Sequence, residues 1–209
     1  MPSKNVIKEF EPQQYYHVYN RGVEKRAIFL DDKDYTVFIG LIKKYLSGEN
    51  NNMNNRHAFK RLDKDVRLLS YCLMPNHFHL LLYQNSEDGI TKFLRRLATG
   101  YVMYFNQRYG RVGGLFQGRY KASMINADDY LHHISRYIHL NPRDYKTWPY
   151  SSYQYFARNR IAPEWLSEDQ VLDLFDNNRY EYVKFLDDYV ENHNELESIK
   201  WQLANDAED

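Results

Sequence analysis

The chain has only one cysteine, Cys72, so it can form no internal disulfide, and a disulfide-stapled secreted scaffold is excluded. Cys72 lies inside an apolar run and reads as a small buried hydrophobe. No apolar stretch approaches the ~20 residues that a membrane helix needs. Met1 to Phe10 lacks the apolar core of a signal peptide, so the expectation is a cytoplasmic protein with no membrane partner. Formal net charge is also missing, but only on average. Residues 1–160 carry 25 Lys+Arg against 14 Asp+Glu, a net of +11, while residues 161–209 carry 3 against 14, a net of −11. Such an asymmetry predicts an anion-binding body followed by an acidic helical extension.

The basic half is most one-sided between residues 89 and 126, where seven cations stand with no Asp or Glu: Lys92, Arg95, Arg96, Arg108, Arg111, Arg119 and Lys121. Tyr101, Tyr104 and Tyr109 are interspersed among them. Aromatics among cations suit single-stranded nucleic acid, where bases stack and phosphates meet charge. The nucleic-acid-contact candidates are Arg21, Arg95, Arg96, Arg108, Arg111, Arg119 and Lys121. Arg119 and Lys121, just before the strand candidate Ala122 to Ile125, are expected to make the closest contacts.

The order of elements follows from periodicity. Tyr15 to Asn20 is rich in strand formers and ends at the turn signal Arg21-Gly22. Asp31 to Tyr45 carries Tyr35, Phe38, Ile39 and Ile42 at helical spacing, with Asp31 or Asp32 as the cap. Val66 to Leu73 and His77 to Tyr83 read as an antiparallel pair across Pro75-Asn76. Ile90 to Arg108 is a long helix, Ala122 to Ile125 a strand, and Asp128 to Leu140 a helix with Asn126 as its expected cap. The first six elements predict an α+β fold: a ferredoxin-like βαββαβ antiparallel sheet with helices on one face. Ser167 to Phe175 and Asn178 to Tyr189 read as further helices. The expected division is a domain over residues 1–160 and a helical C-terminal extension over 161–209.

Two clusters carry chemistry. In His77-Phe78-His79, strand alternation places both imidazoles on one face, where they can hold one divalent cation or simply bond locally. In the last helix of the domain, Leu131, Ile134 and Ile138 form the core stripe, and Tyr130, His133, Tyr137 and Asn141 fall on another face. By periodicity alone Tyr137 is one more half-buried tyrosine.

Met74 to Leu82 together with Tyr137-Ile138-His139-Leu140-Asn141-Pro142 resembles the single-tyrosine HUH transposases. The likeness is closest to the REP-associated tyrosine transposases. Further matching stretches are Tyr16 to Gly22, Leu115 to Lys121 and Trp148 to Tyr153. The likeness spans roughly Tyr15 to Tyr155, and nothing after about Pro163 matches. The resemblance implies that His77 and His79 hold Mg²⁺ or Mn²⁺, that Asn141 completes the metal site, and that Tyr137 is the nucleophile. His133 is a fallback ligand, because Pro142 disfavours helical geometry at Asn141. The implied activity is metal-dependent cutting and joining of single-stranded DNA beside a hairpin, through a 5′-phosphotyrosine intermediate. The alternative is a hairpin-DNA-binding regulator without catalysis. The partner is single-stranded DNA bearing a palindromic hairpin. A homodimer and a monomer both remain open.

Overall fold

The computed structural model describes residues 10–47, 61–125, 128–157 and 160–191. Four strands form one antiparallel sheet: β1 (Gln14–Arg21), β2 (Val66–Met74), β3 (His77–Gln84) and β4 (Lys121–Ile125), in the order β2-β3-β1-β4. With α1 (Asp32–Leu46) and α2 (Gly89–Tyr109) between them, this is the ferredoxin-like arrangement expected from the pattern. Six shorter or later segments include α3 (Asp128–His139), α4 (Tyr153–Ala157), α5 (Asp169–Leu172) and α6 (Arg179–Glu191). The expected cap Asn126 lies outside the described residues.

Both faces of the sheet are covered. Val18, Phe78, Leu80 and Leu82 pack under α1 and α2 with Phe38, Ile42, Leu94 and Leu97. The opposite residues of the same strands, such as Leu81, meet Leu131, Ile134 and Ile138 of α3 together with Val171, Tyr182 and Leu186. The two helices of the βαββαβ unit therefore share one face, as expected, and α3 with the C-terminal segments covers the other. Each buried leucine or isoleucine in these layers contributes roughly 1.5–3 kcal/mol. Strand β2 is buried on both sides, which explains its continuous apolar run rather than alternation.

Local chemistry fixes the element ends. The Asp31 side chain accepts from the backbone N–H groups of Lys33 and Asp34 and caps α1. Helix α2 stops where Gly110 turns left-handed, at φ 60. Just after β1 the chain requires glycine at position 22, because a Cβ there would sit 2.2 Å from the Arg26 carbonyl oxygen. No helix among the described residues is long and apolar enough to cross a membrane.

The C-terminal segments brace α3. Tyr182 of α6 is bonded to His139 Nδ1 at 2.6 Å and to Ser135 at 3.2 Å. The Arg136 guanidinium lies over the Phe185 and Tyr189 rings, 4.2 and 3.8 Å from their centroids. Asp187 accepts from Tyr145 and pairs with Lys146. These contacts hold the helix that carries Tyr137.

Candidate active site

Pairing of β1 with β3 aligns Tyr19 with His79 and Arg21 with His77. Odd-numbered residues of both strands face α3, so His17, Tyr19, His77 and His79 share that side. Helix α3 brings Tyr137 against them, its ring centroid 5.4 Å from that of His79 and 5.8 Å from that of His17. The His77 and His79 rings are perpendicular, with centroids 5.0 Å apart.

Asn141 completes the group. The helix ends at His139, but Leu140 N–H still donates to the Arg136 carbonyl and Asn141 N–H reaches Ile138 at 3.4 Å. This tightened last turn keeps residue 141 beneath residue 137 despite the proline that follows. The Asn141 Oδ1 lies 3.1 Å from His77 Nε2, and the Asn141 side chain also hydrogen bonds the Tyr137 phenol. The i, i+4 alignment of Tyr137 with Asn141 is thus present. His133, the fallback ligand, is not in the cluster: its Nδ1 takes a bond from Arg136 at 2.9 Å and its ring packs on Phe185.

Two further residues touch the histidines, and sequence reading missed them. His17, 1 % exposed, places Nε2 2.9 Å from His79 Nδ1. Asn76 places Oδ1 2.6 Å from His77 Nδ1, while its amide nitrogen donates to the Lys25 carbonyl at 3.2 Å. The signal for His17 was its parity with Tyr15 and Tyr19, but the register that brings it to His79 is a long-range property.

Burial governs the electrostatics. It pushes His17 down to about 3, and it pushes His79 well below the usual histidine range, with the neighbouring His17 and His77 adding to the effect. His77 is lowered by burial and by Arg21, against the opposing bond to Asn141. All three are therefore neutral imidazoles at pH 7, the form that offers a lone pair. Tyr137 is raised by burial and by the nearby Tyr19 and Cys72, while the Asn141 bond works the other way.

Among the described residues no group of three or more His, Cys, Asp or Glu side chains converges as a ready metal cage. Two neutral imidazoles and an amide oxygen remain as donors: His77, His79 and Asn141. Such an N/O set fits a divalent ion of moderate hardness that draws further oxygen ligands from water or phosphate.

The expected cations fall into different settings. Arg95 and Arg119 border a cavity of about 580 Å³ between α2 and the segment before β4, also lined by Asn20, Phe78, Phe116 and Tyr120. Arg21 is exposed, opposite His77, and donates to Gln117 at 2.6 Å. Lys121 opens β4, and Arg96 stands half-exposed on α2 near Tyr45. Arg111 instead lies 5.7 Å from the Phe105 ring centroid. Arg108 departs from the expectation of a surface contact. It pairs with Asp31 at 2.5 Å and with the fully buried Asp34 at 2.7 Å, joining α2 to the start of α1. Those carboxylates lie some seventy residues upstream, so sequence proximity gave no warning.

The fold and this cluster define an α+β protein with a histidine pair, a tyrosine and an amide gathered on one sheet face. The family described as IS200-like transposases matches residues 13–141, more than half of the chain, and the chain belongs to that family. It is a transposase. Among solved structures, a REP-associated tyrosine transposase bound to a REP hairpin is similar at 16% identity and a TM-score of 0.55, over 79% of this chain and 91% of that one. A candidate transposase from Deinococcus radiodurans follows at 14% identity, TM-score 0.38, covering 66% and 95%. The tRNA(His) guanylyltransferase of Saccharomyces cerevisiae aligns at 11% identity, TM-score 0.41, covering 86% and 80%. No curated protein matches.

Proposed function

We propose that this transposase cuts and rejoins single-stranded DNA beside a hairpin, with Tyr137 as the nucleophile. The observation that carries the proposal is the joint contact of Asn141 with the Tyr137 phenol and with His77, beside His79. The Tyr137 oxygen attacks the scissile phosphorus in line. A phosphotyrosine bond to the 5′ side forms as the bond to the 3′ oxygen breaks. The phenol proton is lost, and the departing 3′ oxygen takes up a proton to become a hydroxyl. Because the ester conserves the energy of the broken bond, a second 3′-hydroxyl can reverse the step with no nucleotide cofactor.

Burial keeps the phenol neutral at pH 7, so attack needs help. The amide N–H of Asn141 supplies part of it by favouring the phenolate. His77 Nε2, His79 Nε2 and Asn141 Oδ1 would hold Mg²⁺ or Mn²⁺, which supplies Lewis-acid polarisation of the phosphate and of the phenol. This donor set has no carboxylate, so the DNA phosphate provides the charge balance. The hairpin assignment draws on the solved relative that carries one. Arg95 and Arg119 at the mouth of an aromatic-lined cavity suit an unstacked base with flanking phosphates.

The test is Tyr137→Phe with a labelled hairpin carrying a single-stranded flank. Adduct visible on a denaturing gel should fall by more than about a thousandfold, with hairpin affinity within about twofold of wild type. Adduct from Tyr137→Phe would remove Tyr137 from the mechanism. Binding without adduct in the wild-type protein would instead favour a regulator.

A further inference from the structure

We propose that His17 and Asn76 are positioning residues that set the tautomers of the two site histidines. This rests on the metal reading above and deepens it. At 2.9 Å the nitrogens of His17 and His79 are closer than stacked ring faces allow, so they meet edge to edge, with the rings parallel to within 8°. The bond engages His79 through Nδ1, and no described residue bonds its Nε2. Asn76 does the same for His77. Its amide nitrogen is committed to the Lys25 carbonyl, so Oδ1 faces His77 Nδ1 and can only accept. At His77 the proton therefore sits on Nδ1, and at His79 it does so when His17 Nε2 is the acceptor; each Nε2 then presents its lone pair. At His77 that lone pair faces the Asn141 amide oxygen, itself an acceptor, at 3.1 Å, a pairing that a cation held between the two atoms satisfies.

The His17 end has a further consequence. When His17 Nε2 accepts from His79, the His17 proton sits on Nδ1, and that atom is buried with no hydrogen-bond partner. An orphaned buried donor costs about 1–3 kcal/mol. For stability alone an apolar residue would serve better at this position. Beside apolar neighbours such as Leu81, Ile134 and Ile138, a buried imidazole with one unpartnered nitrogen fits an orienting role.

The experiment measures Mn²⁺ binding to the full chain without DNA, by calorimetry and by the Mn²⁺ paramagnetic signal. His17→Leu removes the acceptor at similar bulk, His17→Gln keeps an acceptor oxygen, and Asn76→Leu tests the second anchor at a half-exposed turn that does not threaten folding. Each leucine variant should weaken Mn²⁺ about 10–100-fold, and His17→Gln should recover most of that loss. Nitrogen-15 spectra of the metal-free protein should show the Nδ1–H tautomer at positions 77 and 79, lost at 79 in His17→Leu. Metal-free hairpin affinity should stay unchanged in all three. Wild-type Mn²⁺ affinity in both leucine variants, or no Mn²⁺ binding in the wild type, overturns the inference. Failure of the nucleophile assignment would show separately, as adduct from Tyr137→Phe.

Discussion

His79 and His139 are both buried and both held neutral by burial, yet their surroundings differ in kind. His139 uses both ring nitrogens: Nδ1 meets the Tyr182 hydroxyl at 2.6 Å and Nε2 meets Ser152 Oγ at 2.7 Å. Its ring packs against Phe156, Tyr153 and Tyr182. Every polar atom is satisfied, so His139 ties α3 to α6 and to the Ser151-Ser152 turn on β2. His79 has one nitrogen anchored and one left over, facing a tyrosine and a second histidine. Burial alone does not separate a structural histidine from a chemical one. The separation lies in whether the hydrogen-bond inventory is closed.

The largest expected contrast follows from that difference. His77→Ala, at a half-buried position, should lower adduct formation at least about a hundredfold, with stability within about 1 kcal/mol of wild type. His139→Ala should do the reverse. It strands the Tyr182 and Ser152 hydroxyls and opens a cavity, so about 2–4 kcal/mol is lost, or roughly 5–15 °C in melting temperature. Its adduct rate, measured well below that transition, should remain within about tenfold of wild type. If His139→Ala destroys adduct formation while the melting temperature holds, the division between the two histidines is false.

Acid should expose the same closed inventory more gently. The folded-state value of His139 is pushed down to about 3, below the ~6.5 of an unfolded histidine. The unfolded chain therefore binds the proton first as pH falls. The stability that neutral His139 contributes is fully present above about pH 6.5 and is lost progressively as pH drops towards 3. Melting temperature should fall steadily between pH 6.5 and 4.5, and His139→Gln should flatten that slope. An unchanged slope would show that other groups carry the acid sensitivity.

What was legible in the sequence divides along the same line. The His77 and His79 pair was visible because strand alternation is a two-residue rule, and their separation from Phe78 to opposite faces held. Element order, the sheet and the stripe of α3 followed from local periodicity as well. Tyr137 and Asn141 stood out only through family resemblance, since a helical tyrosine with a polar residue one turn on is ordinary. His17, Asn76 and the Tyr182–His139 bond were invisible for a common reason. Each depends on register or packing between segments 43 to 62 residues apart, or on a carbonyl such as that of Lys25, 51 residues away. The closed salt-bridge cluster around Asp34 hid in the same way, which made Arg108 look like a surface cation.

Cations can be sorted by the same test, with a smaller effect. Arg119 is exposed and borders the cavity, whereas Arg108 is consumed by Asp31, Asp34 and the Tyr104 hydroxyl. A phosphate contact on single-stranded DNA contributes about 0.7 to the slope of log affinity against log salt. Arg119→Ala should therefore make that slope shallower by about 0.7, at nearly constant melting temperature. Arg108→Ala should leave the slope unchanged, and its effect should appear as a lower melting temperature, because Asp34 would be left buried without its countercharge. Equal slope changes in the two variants would return Arg108 to the DNA-contacting set and would mean that DNA competes with Asp31 for the guanidinium.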